Sequence, residues 1–176
     1  MKIYRKAQNK ILYVMRGTSG SGKSTKAKSL PGVTEDNIFE PDKLIADNLQ
    51  DYNAFFEGMD VTNNWSPLAK IHNRVHELLE QAMQEGRTPL VLDDMNLKAW
   101  NCKHGVEAAI RNGYEVNFID VGTGGLSVDE LTERNRHGVN RDRMQELVDR
   151  YHAEGPLTIE KVLESEVPDM DSDEIR

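Results

Sequence analysis

The sequence predicts an α/β fold, a doubly wound parallel sheet with helices on both faces. Three observations carry this prediction. The apolar run "ILYVM" leads directly into the glycine-rich stretch "RGTSGSGKST" at 16–25. Further short apolar runs alternate with segments of helical period, and strands alternating with helices build parallel sheets through right-handed crossovers. The length of 176 residues suits one such domain with its own core.

Each element has a local reason. "KILYVMRG" is a buried strand that ends at Gly17. "KSTKAKSL" is the helix after it, stopped by Pro31-Gly32. "NIFEPD" gives a short second strand, and the stretch from Lys43 to Asn64 is partly helical before it loops. Leu68, Ile71, Val75, Leu78, Leu79, Ala82 and Met83 recur at three and four residues, which predicts an amphipathic helix over 67–84. Ser66 is its expected N-cap and Pro67 its first helical residue. "EGRTPLVLDDMN" is a turn and a third strand. "AWNCKHGVEAAIRNGYEVNFIDV" is a helix, a stop at Gly113 and a fourth strand. "SVDELTERNRHGVNRDRMQELVDRYHAE" gives two helices split around Gly138. The stretch "YRKAQNKILY" is a candidate for a small antiparallel piece at the sheet edge. The expected organisation is one domain over 1–165 and an acidic, flexible tail over 166–176, where acids dominate and little can be buried.

Composition narrows the partners. The net charge is -8, and seven of the thirty acids fall in the last seventeen residues. A broad basic footprint on duplex nucleic acid is excluded, although a local basic groove is not. No apolar run approaches the ~20 residues that span a bilayer. The basic start "MKIYRKAQNK" is followed by no apolar core or cleavage site, so no signal peptide is expected. The single cysteine, Cys102, rules out an intrachain disulfide, and the expected location is cytoplasmic.

Gly17, Thr18, Ser19, Gly20, Ser21, Gly22, Lys23 and Ser24 fill the pattern G-x-x-x-x-G-K-[ST], and Thr25 follows. Such a loop turns backbone N–H groups around a polyphosphate, which needs glycines tolerant of unusual φ and of crowding. The helix N-terminus adds partial positive charge. Lys23 reaches the β/γ oxygens and the Ser24 hydroxyl ligates Mg²⁺. The strand before and the helix after supply the context the motif requires, so the held phosphates are those of ATP or GTP.

Three further stretches bear on what receives a phosphate. Asp42 stands just beyond the second strand, at the ligand-facing end of such a sheet. It is a candidate proton acceptor for an incoming hydroxyl, and it would equally cap the helix that starts there. Asp93 and Asp94 end the third strand, where adjacent side chains point opposite ways. One is expected near the Mg²⁺ shell and the other toward the acceptor; solvated strand-end acids are the plainer reading. Arg134, Arg136, Arg141 and Arg143 cluster around Gly138. They read either as a mobile lid that neutralises a migrating phosphoryl group or as a solvated, salt-bridged helix face. His137 is given no role. Phe55, Phe56 and Trp65 stack on bases or, more simply, pack on the sheet.

"GTSGSGKST", "IFEPD", "LDDMNLKAW", "NGYEV" and "ELTERNRHGVNRDRMQELVDRY" together resemble the P-loop polynucleotide kinases. These include the phage 5′-hydroxyl kinase domain and eukaryotic relatives attached to ubiquitin-ligase-binding proteins. The resemblance covers roughly residues 11 to 165. It implies a three-layer P-loop kinase fold with strand order 2-3-1-4 and an arginine lid. It implies ATP and Mg²⁺ as cofactors, Lys23 as the phosphate lysine, Ser24 and Asp93 as metal ligands, and Asp42 as general base. Asp94 falls on an acceptor-binding position, with Asn96 beside it, and Arg134 and Arg136 on the lid arginines. Ile45 stands where the phage enzyme has an acceptor-binding arginine, and Lys43 is the nearby alternative. Met95 replaces a Thr and Asn140 a Pro. His72 matches a histidine common in relatives.

The expected activity is transfer of the γ-phosphate to a nucleic-acid hydroxyl, the 5′-OH of a polynucleotide first. The alternatives are a hydroxymethylated DNA base or a small-molecule hydroxyl as acceptor and, in another class, a nucleotide-binding switch without transfer. No membrane partner is expected, and oligomeric state is left open.

Overall fold

The computed structural model describes residues 9–48 and 66–168. The proposed edge piece at the N-terminus, the three aromatics Phe55, Phe56 and Trp65, and residues 169–176 of the acidic tail lie outside or largely outside the described residues.

Four parallel strands form the sheet, β1 (Ile11–Gly17), β2 (Ile38–Phe39), β3 (Leu90–Leu92) and β4 (Glu115–Gly122), in the order β2-β3-β1-β4. This is the 2-3-1-4 order of a P-loop kinase. Leu12 pairs with Leu90 and Val116, and Val14 with Leu92 and Phe118, which sets the register. Side chains alternate across the sheet. Leu12, Val14, Leu90 and Leu92 therefore face one way and Met15 and Val91 the other.

The first face is covered by α3 (Ser66–Gln84), α4 (Lys103–Arg111) and α7 (Ile159–Glu164), which contribute Val75, Leu79, Val106 and Val162 to the larger core. The second face is covered by α1 (Lys23–Lys28) through Ala27 and by Leu30 after it. The resulting three layers are those expected. Helix α2 (Pro41–Asn48) leaves the end of β2 and packs near α3.

A third apolar cluster joins α5 (Val128–Arg134) to α6 (Arg141–Glu154), through Leu131, Met144, Leu147 and Val148 with Leu97. Ser127 caps α5 in a reciprocal box with Glu130. Asn140, the residue standing where relatives have proline, caps α6 by accepting the N–H of Arg143 at 2.9 Å. The helix α7 was not expected from the sequence. Thr158 caps it, Val162 is fully buried, and Lys103 Nζ donates to the carbonyls of Leu163 and Ser165.

Candidate active site

The loop between β1 and α1 is shaped by its glycines. Gly22 sits at φ 95, a left-handed conformation that turns the chain into α1 without a Cβ penalty. At Gly20, also left-handed, an added Cβ would stand 2.8 Å from the carbonyl of Leu131, so only glycine lets α5 rest on the loop. Thr18 donates its backbone N–H to the Gly122 carbonyl at 2.9 Å, and Gly17 donates to Met95 at 3.0 Å. These bonds fix the loop between β4 and the chain after β3. The side chains of Thr18 and Ser21 are buried, so both face the fold. Lys23 Nζ folds back over the loop toward the Thr18 carbonyl, at 3.5 Å.

A cavity of about 690 Å³ opens over this loop. Ser19, Gly20, Gly22, Lys23, Ser24 and Thr25 line one wall. Asp42, Asp93 and Asp94 stand at the strand ends, and Arg134 and Arg136 border the cavity from the end of α5 and the turn after it. Of the four arginines around Gly138, Arg141 pairs instead with Asp129 at 2.6 Å and Arg143 with Glu146 at 2.5 Å, as a salt-bridged helix face would have them. Gly17, Thr18 and Ser21 underlie the loop and do not border the cavity. Lys43 is exposed and does not reach it. Asn96 is buried, donates to the Met15 carbonyl at 2.8 Å and joins the ends of β1 and β3 from beneath.

The paired acids have unlike surroundings. Asp93 is 5% exposed, and neither carboxylate oxygen has a hydrogen-bond partner of normal geometry. Burial raises its pKa against the pull of Lys23 and the Ser24 hydroxyl. Glu40, half-buried beside it, is raised by burial and then by Asp93 and Asp42. An unpartnered buried carboxylate next to a serine hydroxyl and further acids fits a divalent cation, so Ser24 and Asp93 are the pair able to hold Mg²⁺. Asp94 contacts His72 Nδ1 through one oxygen at 3.0 Å and accepts the Met95 N–H at 2.7 Å through the other. Burial opposes its ionisation, yet His72 and the Met95 N–H outweigh this and hold its pKa at about 2.

Two cavity residues have a place the sequence did not reveal. His137, in the loop between α5 and α6, lies with Nε2 3.3 Å from Asp42 Oδ2. Its only sequence signal was a histidine beside the glycine of an arginine-rich turn. Glu40 precedes Pro41 at the strand end and lines the same cavity as Asp42.

The sequence pattern of a family described as an AAA domain matches residues 12–154. The chain belongs to that family. As an AAA domain of P-loop, kinase-like type it bears out the resemblance drawn from its motifs. Human NEDD4-binding protein 2 is 28% identical to it over 160 residues, 90% of this chain. Those residues are 8% of that protein, so the AAA domain spans a small part of the relative's length. In a structure of the Pnkp1/Rnl/Hen1 RNA repair complex, one chain shares its fold at a TM-score of 0.58 and 20% identity. That match covers 87% of this chain and 47% of the other. Among the described residues no helix is long and apolar enough to cross a membrane.

Proposed function

We propose that this AAA domain is an ATP-dependent kinase that transfers the γ-phosphate to the 5′-OH of a polynucleotide, and that it works in the cytoplasm. The observation that supports it best is the joining of a phosphate-cradling loop, an unpartnered buried Asp93, the half-exposed Asp42 and two lid arginines around one cavity. The polynucleotide-kinase resemblance and the RNA repair complex among its structural neighbours favour a nucleic-acid acceptor.

In this reading Ser19, Gly20 and Gly22 to Thr25 hold the triphosphate, Gly17, Thr18 and Ser21 brace the loop from beneath, and Lys23 swings from the Thr18 carbonyl to the β/γ oxygens. Bound Mg²⁺ would neutralise phosphate charge from the Ser24–Asp93 position. Asp42 takes the proton of the attacking hydroxyl. Asp94, kept anionic by His72, accepts a hydrogen bond from the acceptor. Arg134 and Arg136 offset the charge of a loose transition state. Asn96 supports Asp94 from below, and Lys43 is left to a rim contact with the nucleic acid. The folding unit is residues 1–165, ending after α7.

One observation favours a second acceptor. Ile45 is 1% exposed and borders the cavity where an acceptor-phosphate arginine is expected. An apolar side chain there fits a hydroxymethylated DNA base or a small hydroxyl compound. Labelled ATP offered with 5′-OH oligonucleotides, hydroxymethylated DNA and nucleosides in parallel separates the readings. Label on the 5′ ends supports the first; label confined to another acceptor replaces it. Asp42→Ala is expected to abolish transfer and leave ATP binding within about twofold, and unchanged turnover by that variant removes Asp42 from the mechanism.

A further inference from the structure

Beyond Asp94, away from the phosphate loop, lies a second cavity of about 250 Å³. It shares Leu68, His72, Asp94, Met95 and Leu147 with the main cavity. The His72–Asp94 pair, in contact at 3.0 Å, is thus a partition with one face toward the reacting groups and the other toward this space. The volume falls just below the roughly 300 Å³ at which pockets begin to take drug-sized ligands, so one heterocycle fits and a larger molecule does not.

Its walls suit a flat, uncharged ring. Half-buried Trp100, from the short 3₁₀ turn Ala99–Cys102, borders it. His76 from α3 and His104 from α4 border it too, their rings 5.9 Å apart and tilted by 42°. Burial lowers the His76 pKa to about 4, so its imidazole is neutral in neutral solution and stacks without a charge. Leu68, Met95, Leu97 and Leu147 supply apolar contact. Lys98 and Arg143 border the same cavity and bring positive charge to it, each also paired with a glutamate, Lys98 at 3.4 Å and Arg143 at 2.5 Å. Aromatic walls beside cations are what a base and its phosphodiester require.

We propose that this second cavity is a nucleobase subsite, in which the base of the nucleotide bearing the reacting hydroxyl stacks on Trp100 beside His76. The inference rests on the nucleic-acid acceptor reading above. The hydroxyl lies on the Asp42 side of the His72–Asp94 pair, the sugar passes over the edge of that pair, and the base lies beyond it. Stacking is tolerant of base identity. The site therefore distinguishes a terminal nucleotide with a base from one without, and hardly distinguishes the four bases.

The test uses the full chain with a non-hydrolysable ATP analogue and two 3′-labelled 5′-OH hexanucleotides, one abasic at its first position. Fluorescence anisotropy gives the affinities. Wild type is expected to bind the base-bearing oligonucleotide roughly 5- to 150-fold more tightly, the range carried by one base–aromatic stack. Trp100→Leu and His76→Ala are expected to reduce that ratio while leaving abasic affinity unchanged. His76→Ala is the safer variant should loss of the half-buried Trp100 disturb folding. Equal wild-type affinity for the two oligonucleotides overturns the subsite, as does an equal loss for both in the variants. Phosphorylation measured alongside separates the two readings. Equal kcat/KM on both oligonucleotides leaves the kinase and removes the subsite; no binding and no transfer to either removes both.

Discussion

At the scale of single residues, Asp93 and Asp94 differ by one position and by opposite shifts. Burial raises both carboxyls, but only Asp94 has a histidine and a backbone N–H to reverse it. Asp93 has Lys23 and Ser24 nearby and no bonded partner, so its ionised form gains most from a cation. Asp93→Asn is expected to weaken Mg²⁺-supported nucleotide binding at least tenfold, read by titration calorimetry with and without Mg²⁺. Asp94→Asn should leave that binding intact. A different residue governs acid sensitivity. His76 has a folded pKa of about 4 against an ordinary 6.5. Between those values the unfolded chain binds the extra proton, so stability is full above about pH 6.5 and falls as the solution is acidified toward pH 4. The loss at pH 5 is about 2 kcal/mol. His72, Asp93 and Glu40, all raised on folding, oppose this loss, so it is read as the difference between wild type and His76→Gln in urea unfolding at pH 7.5 and pH 5. The sequence displayed the two aspartates and set one toward the metal and the other toward the acceptor, but not the contact that holds Asp94 ionised, because His72 stands 22 residues earlier, on α3.

At the scale of elements, the phosphate loop and helix α5 are one mechanical unit. The carbonyl of Leu131 in α5 lies where a Cβ on Gly20 would stand, and the same helix ends in Arg134. Gly20→Ala therefore strains a left-handed residue and pushes α5 off the loop, with an expected cost of about 1–3 kcal/mol. It should also lower kcat, by displacing the lid arginines. Arg134→Ala, which leaves the packing alone, should lower kcat by about 10²–10³ with nucleotide affinity within a few-fold. Thermal unfolding and steady-state kinetics on both variants separate the two effects. The strands were legible as short unbroken apolar runs and the long helix over 67–84 by its spacing of three and four. Helix α7 was not. Six residues make less than two turns, too short for a period, and "TIEKVLE" is acidic enough to resemble the tail behind it. It forms because Val162 docks in the core and Lys103 takes its last carbonyls. Likewise the meeting of His137 with Asp42 depends on how α5 and α6 fold back, which no local pattern encodes.

At the scale of the whole molecule, one buried cation ties the loop's strand to its neighbour β4 and to α6. Arg16, the residue before the phosphate loop, is 1% exposed. It donates to Asp120 on β4 at 2.7 Å, to the Tyr151 carbonyl on α6 at 3.1 Å and to the Leu97 carbonyl at 3.4 Å. Its guanidinium lies 4.2 Å from the centre of the Tyr151 ring, and the Tyr151 hydroxyl donates to Asp120 at 3.0 Å. Removing one member of such a set leaves a charge buried without its counterion, which costs more than the pair itself contributes. Asp120 is 37% exposed in its side chain, so water softens the loss. Asp120→Ala is accordingly expected to cost about 2–3 kcal/mol, below the 3–5 of a fully enclosed pair. Tyr151→Phe, which removes one hydrogen bond and keeps the ring over Arg16, should cost about 1 kcal/mol. The decisive comparison is Arg16→Met combined with Asp120→Ala. With no charge left inside, the double variant should be less destabilised than the sum of the singles, giving a coupling of at least 1 kcal/mol in urea unfolding. Strict additivity would mean that Arg16 is held by the carbonyls and the ring alone, with Asp120 a bystander.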